Sequence, residues 1–274
     1  MVAASKLRRA QNAILKMRPY AAKLKEILQN LSASMENGSD NPYARIGNPE
    51  KILMIVLTSN RGLCGAFNSN IIKAAVQTMN EKYPEALSKG NIHLMTIGRK
   101  GSEFFAKRGY HVISSHDSLY DQLTWDNASV LAVNLMKSFS AHEYDRIEIV
   151  YNQFKNAAVQ KLTVEQFLPI EPPKPEENAG NAKTDKLQVE YIFEPSKEQI
   201  VTELIPKSLK IQFYKALLDS FASEHGARMT AMHQATDNAK ELLKELNLAY
   251  NKARQASITK EILEIVSGAE ALKG

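Results

Sequence analysis

A single cysteine and a single tryptophan stand in a chain of 274 residues. One cysteine excludes an internal disulfide framework and any multi-cysteine metal site, and it fits a reducing compartment. His93, His111, His116, His142, His225 and His233 are scattered, with no pair at metal-ligand spacing, so no metal centre is expected. No stretch approaches the roughly 18–20 apolar residues that span a bilayer, which argues against an integral membrane protein. Met1 to Arg9 has no apolar signal core. Phosphate-binding signatures are also missing. There is no Gly-x-x-x-x-Gly-Lys loop, and no Gly-x-Gly-x-x-Gly run follows any apolar segment. Aromatics are 7% of the chain and do not interleave with basic patches, so single-strand nucleic-acid binding is not indicated. What is present is an ordinary globular composition, 44% hydrophobic and 24% charged, with a net charge of +5 that favours acidic partners.

The chain reads in three parts, bounded at about 1–40, 41–206 and 207–274. In the first, Leu7, Ala10, Ile14, Met17, Ala21, Leu24, Leu28, Leu31 and Met35 recur at alternating steps of three and four. That is a heptad seam, and it predicts a long helix. Pro19 should remove one backbone hydrogen bond from it. The run Glu36-Asn37-Gly38-Ser39-Asp40-Asn41-Pro42 is a stop signal.

The middle part alternates strand and helix patterns. Ile52 to Leu57 is a continuous apolar run, as expected of a strand buried on both faces. Helix follows from about Asn68 to Lys82, strand from Ile92 to Ile97, and helix from Gly101 to Arg108. His111 to Ser114 reads as a third strand, Trp125 to Phe139 as helix and Arg146 to Tyr151 as strand. This order predicts an open α/β sheet with helices on both faces. Val159 to Phe167 and Val189 to Phe193 read as further strands, candidates for an antiparallel edge. The polar, Pro-rich stretch from Glu171 to Gly180 between them reads as a surface loop.

In the third part no proline follows Pro206. Met232, Thr236, Ala239, Leu243, Leu246, Tyr250 and Ala253 again step by four and three. One helix over this part would measure roughly 95 Å at about 1.5 Å per residue, far beyond ordinary globular helices. Two heptad segments at opposite ends of one chain suggest an antiparallel coiled coil with the α/β domain inserted between them. If Met35 faces Leu209, Met1 falls opposite Leu243. Leu246, Leu248, Tyr250, Ile258, Ile262, Leu263, Ile265 and Val266 then have no partner within the chain, and such a stripe is an interaction surface.

Candidate chemistry is sparse. Cys64 follows a buried strand in a glycine-flanked turn that opens a helix, where a thiol can be activated. No paired base accompanies it, and a small residue packed in a tight turn accounts for it better. Gly62 and Gly65 would give at most a weak phosphate cradle. The richest constellation is Asn251-Lys252-Ala253-Arg254-Gln255-Ala256-Ser257-Ile258-Thr259, where small residues admit a close approach and Arg254 offers a fork for carboxylates. Gln255 and Thr259 lie one turn apart on the same face.

These residues resemble those of the gamma subunit of F-type ATP synthases. The likeness rests on Met1-Val2-Ala3-Ala4-Ser5-Lys6-Leu7-Arg8 with Arg18-Pro19-Tyr20. It continues through Thr58-Ser59-Asn60-Arg61-Gly62-Leu63-Cys64-Gly65, Arg228-Met229-Thr230-Ala231-Met232 and Ala235-Thr236-Asp237-Asn238-Ala239. It ends with Tyr250 to Thr259 and Glu264-Ile265-Val266-Ser267-Gly268. It spans essentially the whole chain in order.

The resemblance implies a non-catalytic rotor. Its fold would be a long antiparallel coiled coil of the N- and C-terminal helices with an inserted Rossmann-like α/β domain. Its partners would be three alpha and three beta subunits, an epsilon subunit and the membrane c-ring, at the cytoplasmic face of a bacterial inner membrane. No cofactor, metal or directly bound nucleotide is implied. The family's matching residues make Arg254, Gln255 and Thr259 contacts to a beta subunit. They also place Arg228 in the shaft with an effect on coupling, and make Lys6, Arg8 and Arg9 candidates for passing acidic beta segments. The family's chains carry a further stretch ahead of the one matching Met1, which pairs with the end of the C-terminal helix. Asp is usual where this chain has Asn60, with little consequence expected. The cysteine-bearing insert of chloroplast members is not seen, so thiol regulation is not expected. Two readings from other classes stand beside this one: a soluble α/β thiol enzyme using Cys64 with helical oligomerisation arms, and a coiled-coil scaffold unrelated to ATP.

Overall fold

A computed structural model of the chain describes residues 2–33, 42–43, 45, 47–170, 197–272 and 274. The sequence-predicted strand Val189 to Phe193, the loop Glu171 to Gly180 and Met35 lie outside them. The described residues divide into two compact units, Met1–Met229 and Thr230–Gly274.

In the first unit a five-stranded sheet has the order β3-β2-β1-β4-β5. Its strands are β1 (Ile52–Leu57), β2 (Ile92–Ile97), β3 (Val112–Ser115), β4 (Arg146–Phe154) and β5 (Gln160–Leu168). The first four run parallel, and β5 pairs antiparallel with β4, with Val150 opposite Val164. Strand β1 is fully buried at every position, as its unbroken apolar run requires. Its alternate residues feed two cores. Leu53, Ile55 and Leu57 join one core with α5 (Trp125–Ser140) and with Leu209, Phe213 and Leu217 of α6 (Lys197–Ala271). Ile52, Met54 and Val56 join the other with α2 (Phe67–Lys82), α3 (Pro84–Ser88) and α4 (Arg99–Lys107). The result is a three-layer α/β sandwich.

Helix α1 (Val2–Ala33) passes through Pro19 without a break. Leu7, Ala10 and Ile14 of its predicted seam are buried against Leu218 and Ala222 of α6 and Phe154 of β4. The first part of α6 is therefore sandwiched. One stripe (Leu209, Phe213, Leu217) faces the sheet and another (Leu218, Ala222) faces α1.

Two expectations need correction. Helix α6 begins at Lys197 and runs through Pro206 rather than starting after it. Ile205, just before the proline, is buried in the sheet core, and that packing outweighs the one hydrogen bond lost. The expected register is also displaced. Pairing Met35 with Leu209 would have set Lys6 opposite Asn238, yet Lys6 lies close enough to Glu224 and His225 to act on both electrostatically. The reason is that Leu209 is already committed to the sheet and has no side chain left for α1.

The second unit is the rest of α6. From Thr230 to Ala271 it is one helix, roughly 60 Å long at about 1.5 Å per residue. Every described residue from Met232 onward is exposed.

Candidate functional surfaces

Parallel α/β sheets bind ligands at the C-terminal ends of their strands, where the strand order reverses. Here that place lies beside β1, and its polar groups are turned on each other. Thr58 ends β1, its hydroxyl donating to the Gly98 carbonyl (3.0 Å) and accepting from the Gly101 amide (2.8 Å). Gly98 has φ +105, and a Cβ there would overlap the Thr58 carbonyl, so only glycine fits. The Asn60 side chain accepts from the Arg99 amide (3.1 Å), and the Lys100 amide donates to the Ser59 carbonyl (3.0 Å). The first three amides of α4, which would otherwise attract an anion, are thus all engaged. Asn60 also donates through Nδ2 to the Asp117 carbonyl (2.7 Å), a bond that an aspartate in its place would lack.

The loop after Asn60 is equally closed. The Ser59 amide donates to Asn68 Oδ1 (2.9 Å), and the Ser59 hydroxyl to the Arg61 carbonyl (2.7 Å). Cys64 is buried, with Asn68 Nδ2 donating toward its Sγ at 3.3 Å. That is a packing role rather than a nucleophile's setting, because its partners among the described residues, the Ser59 hydroxyl, the Asn68 amide and the Arg61 carbonyl, are not bases. Leu63 stands at φ +62, an uncommon conformation for a bulky residue, and is 76% exposed. From α6, Ser220 donates to the Leu57 carbonyl (3.4 Å) and Ser223 to the Asn152 carbonyl (2.9 Å), which covers the crevice between β1 and β4.

A charged cluster sits next to this loop. Arg228 donates from Nη1 to Glu224 Oε1 (2.6 Å), and from Nη2 to the carbonyls of Arg61 (2.9 Å) and Gly62 (3.3 Å). Its Nη1 also lies 3.3 Å from His225 Nδ1. Burial, with the positive charges of Arg228 and Lys6, pushes His225 down to about 4, so the ring is neutral at pH 7. Burial pushes Glu224 up, against the opposing pull of Arg228 and Lys6. A second buried carboxylate, Glu148 on β4, receives Lys82 and Tyr83 from the end of α2 and ties that helix to the sheet.

The second unit carries the other predicted residues. Arg254, Gln255 and Thr259 are exposed, and the Thr259 hydroxyl donates back to the Gln255 carbonyl (2.9 Å). Leu242, Leu243, Leu246, Leu248 and Tyr250 are exposed on one side of this segment in sequence, and Ile258, Ile262, Leu263, Ile265 and Val266 on the other. Between them, Asn251 to Ser257 contains no large apolar side chain.

The structure therefore brings Lys6 and Arg228 together around Glu224, and groups Arg254, Gln255 and Thr259 on one exposed helix. Arg8 and Arg9 are exposed on α1 and join neither group. Sequence reasoning missed Glu224, His225, Asn68 and Gly98. Glu224 and Arg228 are four apart on a helix, an ion-pair spacing that was available to be read. The pairing of Asn68 with Ser59 and of Gly98 with Thr58 depends on sheet topology and had no local signal. Among the described residues no cluster of three or more metal-ligating side chains occurs, and no helix is long and apolar enough to cross a membrane.

Comparison with known proteins adds a family. The family model described as ATP synthase matches residues 1–272. The ATP synthase gamma chain of Cytophaga hutchinsonii is 53% identical over 99% of this chain and 91% of its own length. That of Flavobacterium johnsoniae is 53% identical over 100% of this chain and 91% of its own, and that of Chlorobaculum tepidum is 45% identical with the same coverage. Among solved structures, a chain of the central stalk and c-ring of the Tetrahymena thermophila mitochondrial ATP synthase superposes with a TM-score of 0.60. It is 23% identical and covers 86% of this chain and 96% of its own. A chain of the Euglena gracilis mitochondrial ATP synthase gives a TM-score of 0.58 at 19% identity, over 98% of this chain and 95% of that one. These two likenesses speak for the fold.

Proposed function

The chain belongs to the family of F-type ATP synthase gamma chains and is a non-catalytic rotor-stalk subunit, and on that premise we propose that the exposed turns of α6 are the surface on which its rotation is felt. It is a peripheral subunit of a membrane complex. We place it at the cytoplasmic face of a bacterial inner membrane, with three alpha and three beta subunits around the shaft and with the epsilon subunit and c-ring against the α/β domain.

The observation that carries this reading is the second unit itself. Two exposed apolar segments flank Asn251 to Ser257, and Arg254 and Gln255 stand in that gap. Apolar side chains in water at this density seek a sleeve. A sleeve built of repeated, chemically identical subunits meets one asymmetric helix in several different ways at once. Small residues in the gap let a neighbouring loop approach, and Arg254 can meet a carboxylate there with two parallel hydrogen bonds. Each orientation of the shaft then favours a different conformation of each surrounding subunit. Differential contact of this kind is what a coupling free energy requires. In this reading Arg254, Gln255 and Thr259 contact a beta subunit, and Lys6, Arg8 and Arg9 pass acidic segments. The gamma chain performs no bond chemistry.

The test is ATP hydrolysis by the reconstituted alpha–beta–gamma complex. Arg254→Ala should slow it by roughly tenfold or more, as expected for loss of a charge-assisted hydrogen bond worth about 1.5–3 kcal/mol. Unchanged turnover in Arg254→Ala and Gln255→Ala alike would sink the assignment of this segment.

A further inference from the structure

Histidine is an unexpected choice at position 225. The residue is 6% exposed, its ring packs edge-on against Phe221, and its Nε2 is buried with no hydrogen-bond partner among the described residues. An apolar residue would fill that place without leaving a polar atom stranded, and a stranded polar atom in a native fold calls for a reason. The other ring nitrogen supplies it. Nδ1 lies 3.3 Å from Arg228 Nη1. A guanidinium can only donate, so the imidazole accepts at Nδ1 and carries its proton on the orphaned Nε2.

Arg228 is thereby held from behind by Glu224 and His225, and its remaining donors point forward at the carbonyls of Arg61 and Gly62. The loop it grips has Leu63 in the left-handed region, a backbone that a bulky residue keeps only where its surroundings hold it.

We infer that His225 is a positioning residue: its Nδ1 turns the Arg228 guanidinium onto the loop that follows β1, so that this loop and the turn of α6 carrying Glu224 to Arg228 move as one body. Charged neighbours of the ring are Glu224 and Arg228 on α6 and Lys6 on α1. Two cations beside a neutral acceptor favour the tautomer that the latch needs. In a rotor subunit the latch would let twist enter α6 from the α/β domain without slipping at this junction, a consequence that rests on the function proposed above.

The first experiment does not depend on that function. In the assembled alpha–beta–gamma complex, hydrogen–deuterium exchange of the Ser59 and Phe67 amides, bonded to Asn68 Oδ1 and to the Cys64 carbonyl, is compared among variants. His225→Leu should lose protection there by roughly threefold to tenfold, the weight of one hydrogen bond. His225→Asn can place an amide oxygen near the former Nδ1, and it should restore protection. Unaltered exchange in His225→Leu would overturn the inference. So would equal losses in the leucine and asparagine variants, since packing alone would then explain both.

Arg228→Lys guards against a folding artefact. It keeps the charge and loses the fork, and should release the loop with His225 in place. Adding His225→Leu to it should change nothing further; additive losses would overturn the inference. ATP-driven proton pumping per ATP hydrolysed is then measured in membranes holding the whole complex. A latch that exchange supports and pumping ignores would break the rotor consequence alone. A wild-type complex that does not pump would break the rotor reading and leave the loop result standing.

Discussion

Helix α6 has two stretches of similar composition and opposite fate. From Leu209 to Gly226 it is largely buried, wedged between the sheet and α1; from Met232 onward it is exposed throughout. Leucine, alanine and heptad-like spacing occur in both. Apolar periodicity thus says that a helix needs a partner and not where the partner comes from. In the first stretch the chain supplies it. In the second, nothing among the described residues does.

The largest effect that would sharpen the contrast is a pair of matched truncations. Phe213 is fully buried, and Phe213→Ala should lower the unfolding free energy of the full chain by about 3–5 kcal/mol. Leu246 is 60% exposed, and Leu246→Ala should cost no more than about 0.5 kcal/mol. Similar losses at both positions in a denaturant titration would erase the distinction drawn here.

Next comes the closed end of the sheet. Thr58→Val keeps the shape and removes both bonds of the buried hydroxyl, to Gly98 and from Gly101. A loss of about 2 kcal/mol is expected, with the Gly101 amide left unpaired. No loss in calorimetry would mean that α4 is not anchored through Thr58.

A third effect is set by pH. His225 falls from 6.5 to about 4 through burial, then Arg228 and Lys6. The unfolded chain therefore binds more protons than the folded chain in that window. The group's contribution to stability is present above pH 6.5 and is lost as pH falls toward 4. Glu224 is raised by burial and works in the opposite sense, stabilising at low pH and less so as pH rises through its folded value. Unfolding free energy measured from pH 7 to 4 should decline less steeply in His225→Asn than in wild type. Identical slopes would show that the ring does not titrate as described.

Much of the fold was legible because the strands are apolar runs and the helices are periodic. Strand β1 announced itself as buried on both faces, and Val159 to Phe167, one of two candidates for an antiparallel edge, is β5 at that edge. Two errors share one cause. Pro206 was read as a boundary, and Leu209 as a coiled-coil position, because sequence alone cannot show a helix serving two neighbours at once. The exposed constellation around Arg254 was legible for the opposite reason, since small and polar residues interrupt an apolar helix there. The Glu224–Arg228 spacing was legible and went unread, whereas His225 was not legible, because its meaning lies in a loop more than 160 positions away, reached by Arg228.

The joining of Leu7 and Ala10 on α1 to Leu218 and Ala222 on α6 also sets an order of events in synthesis. Helix α1 leaves the ribosome before the sheet, and its partner leaves after it. Closing so long a loop costs little more than closing a moderate one, but it cannot close until the partner exists. The strands between can pair as they emerge, each parallel neighbour following its crossover helix. Throughout that time the seam of α1 has no native counterpart, so a nascent chain displays an apolar stripe ahead of its sheet. Its protection during translation, by a chaperone or by transient non-native packing, is a requirement written into the topology rather than into any one residue.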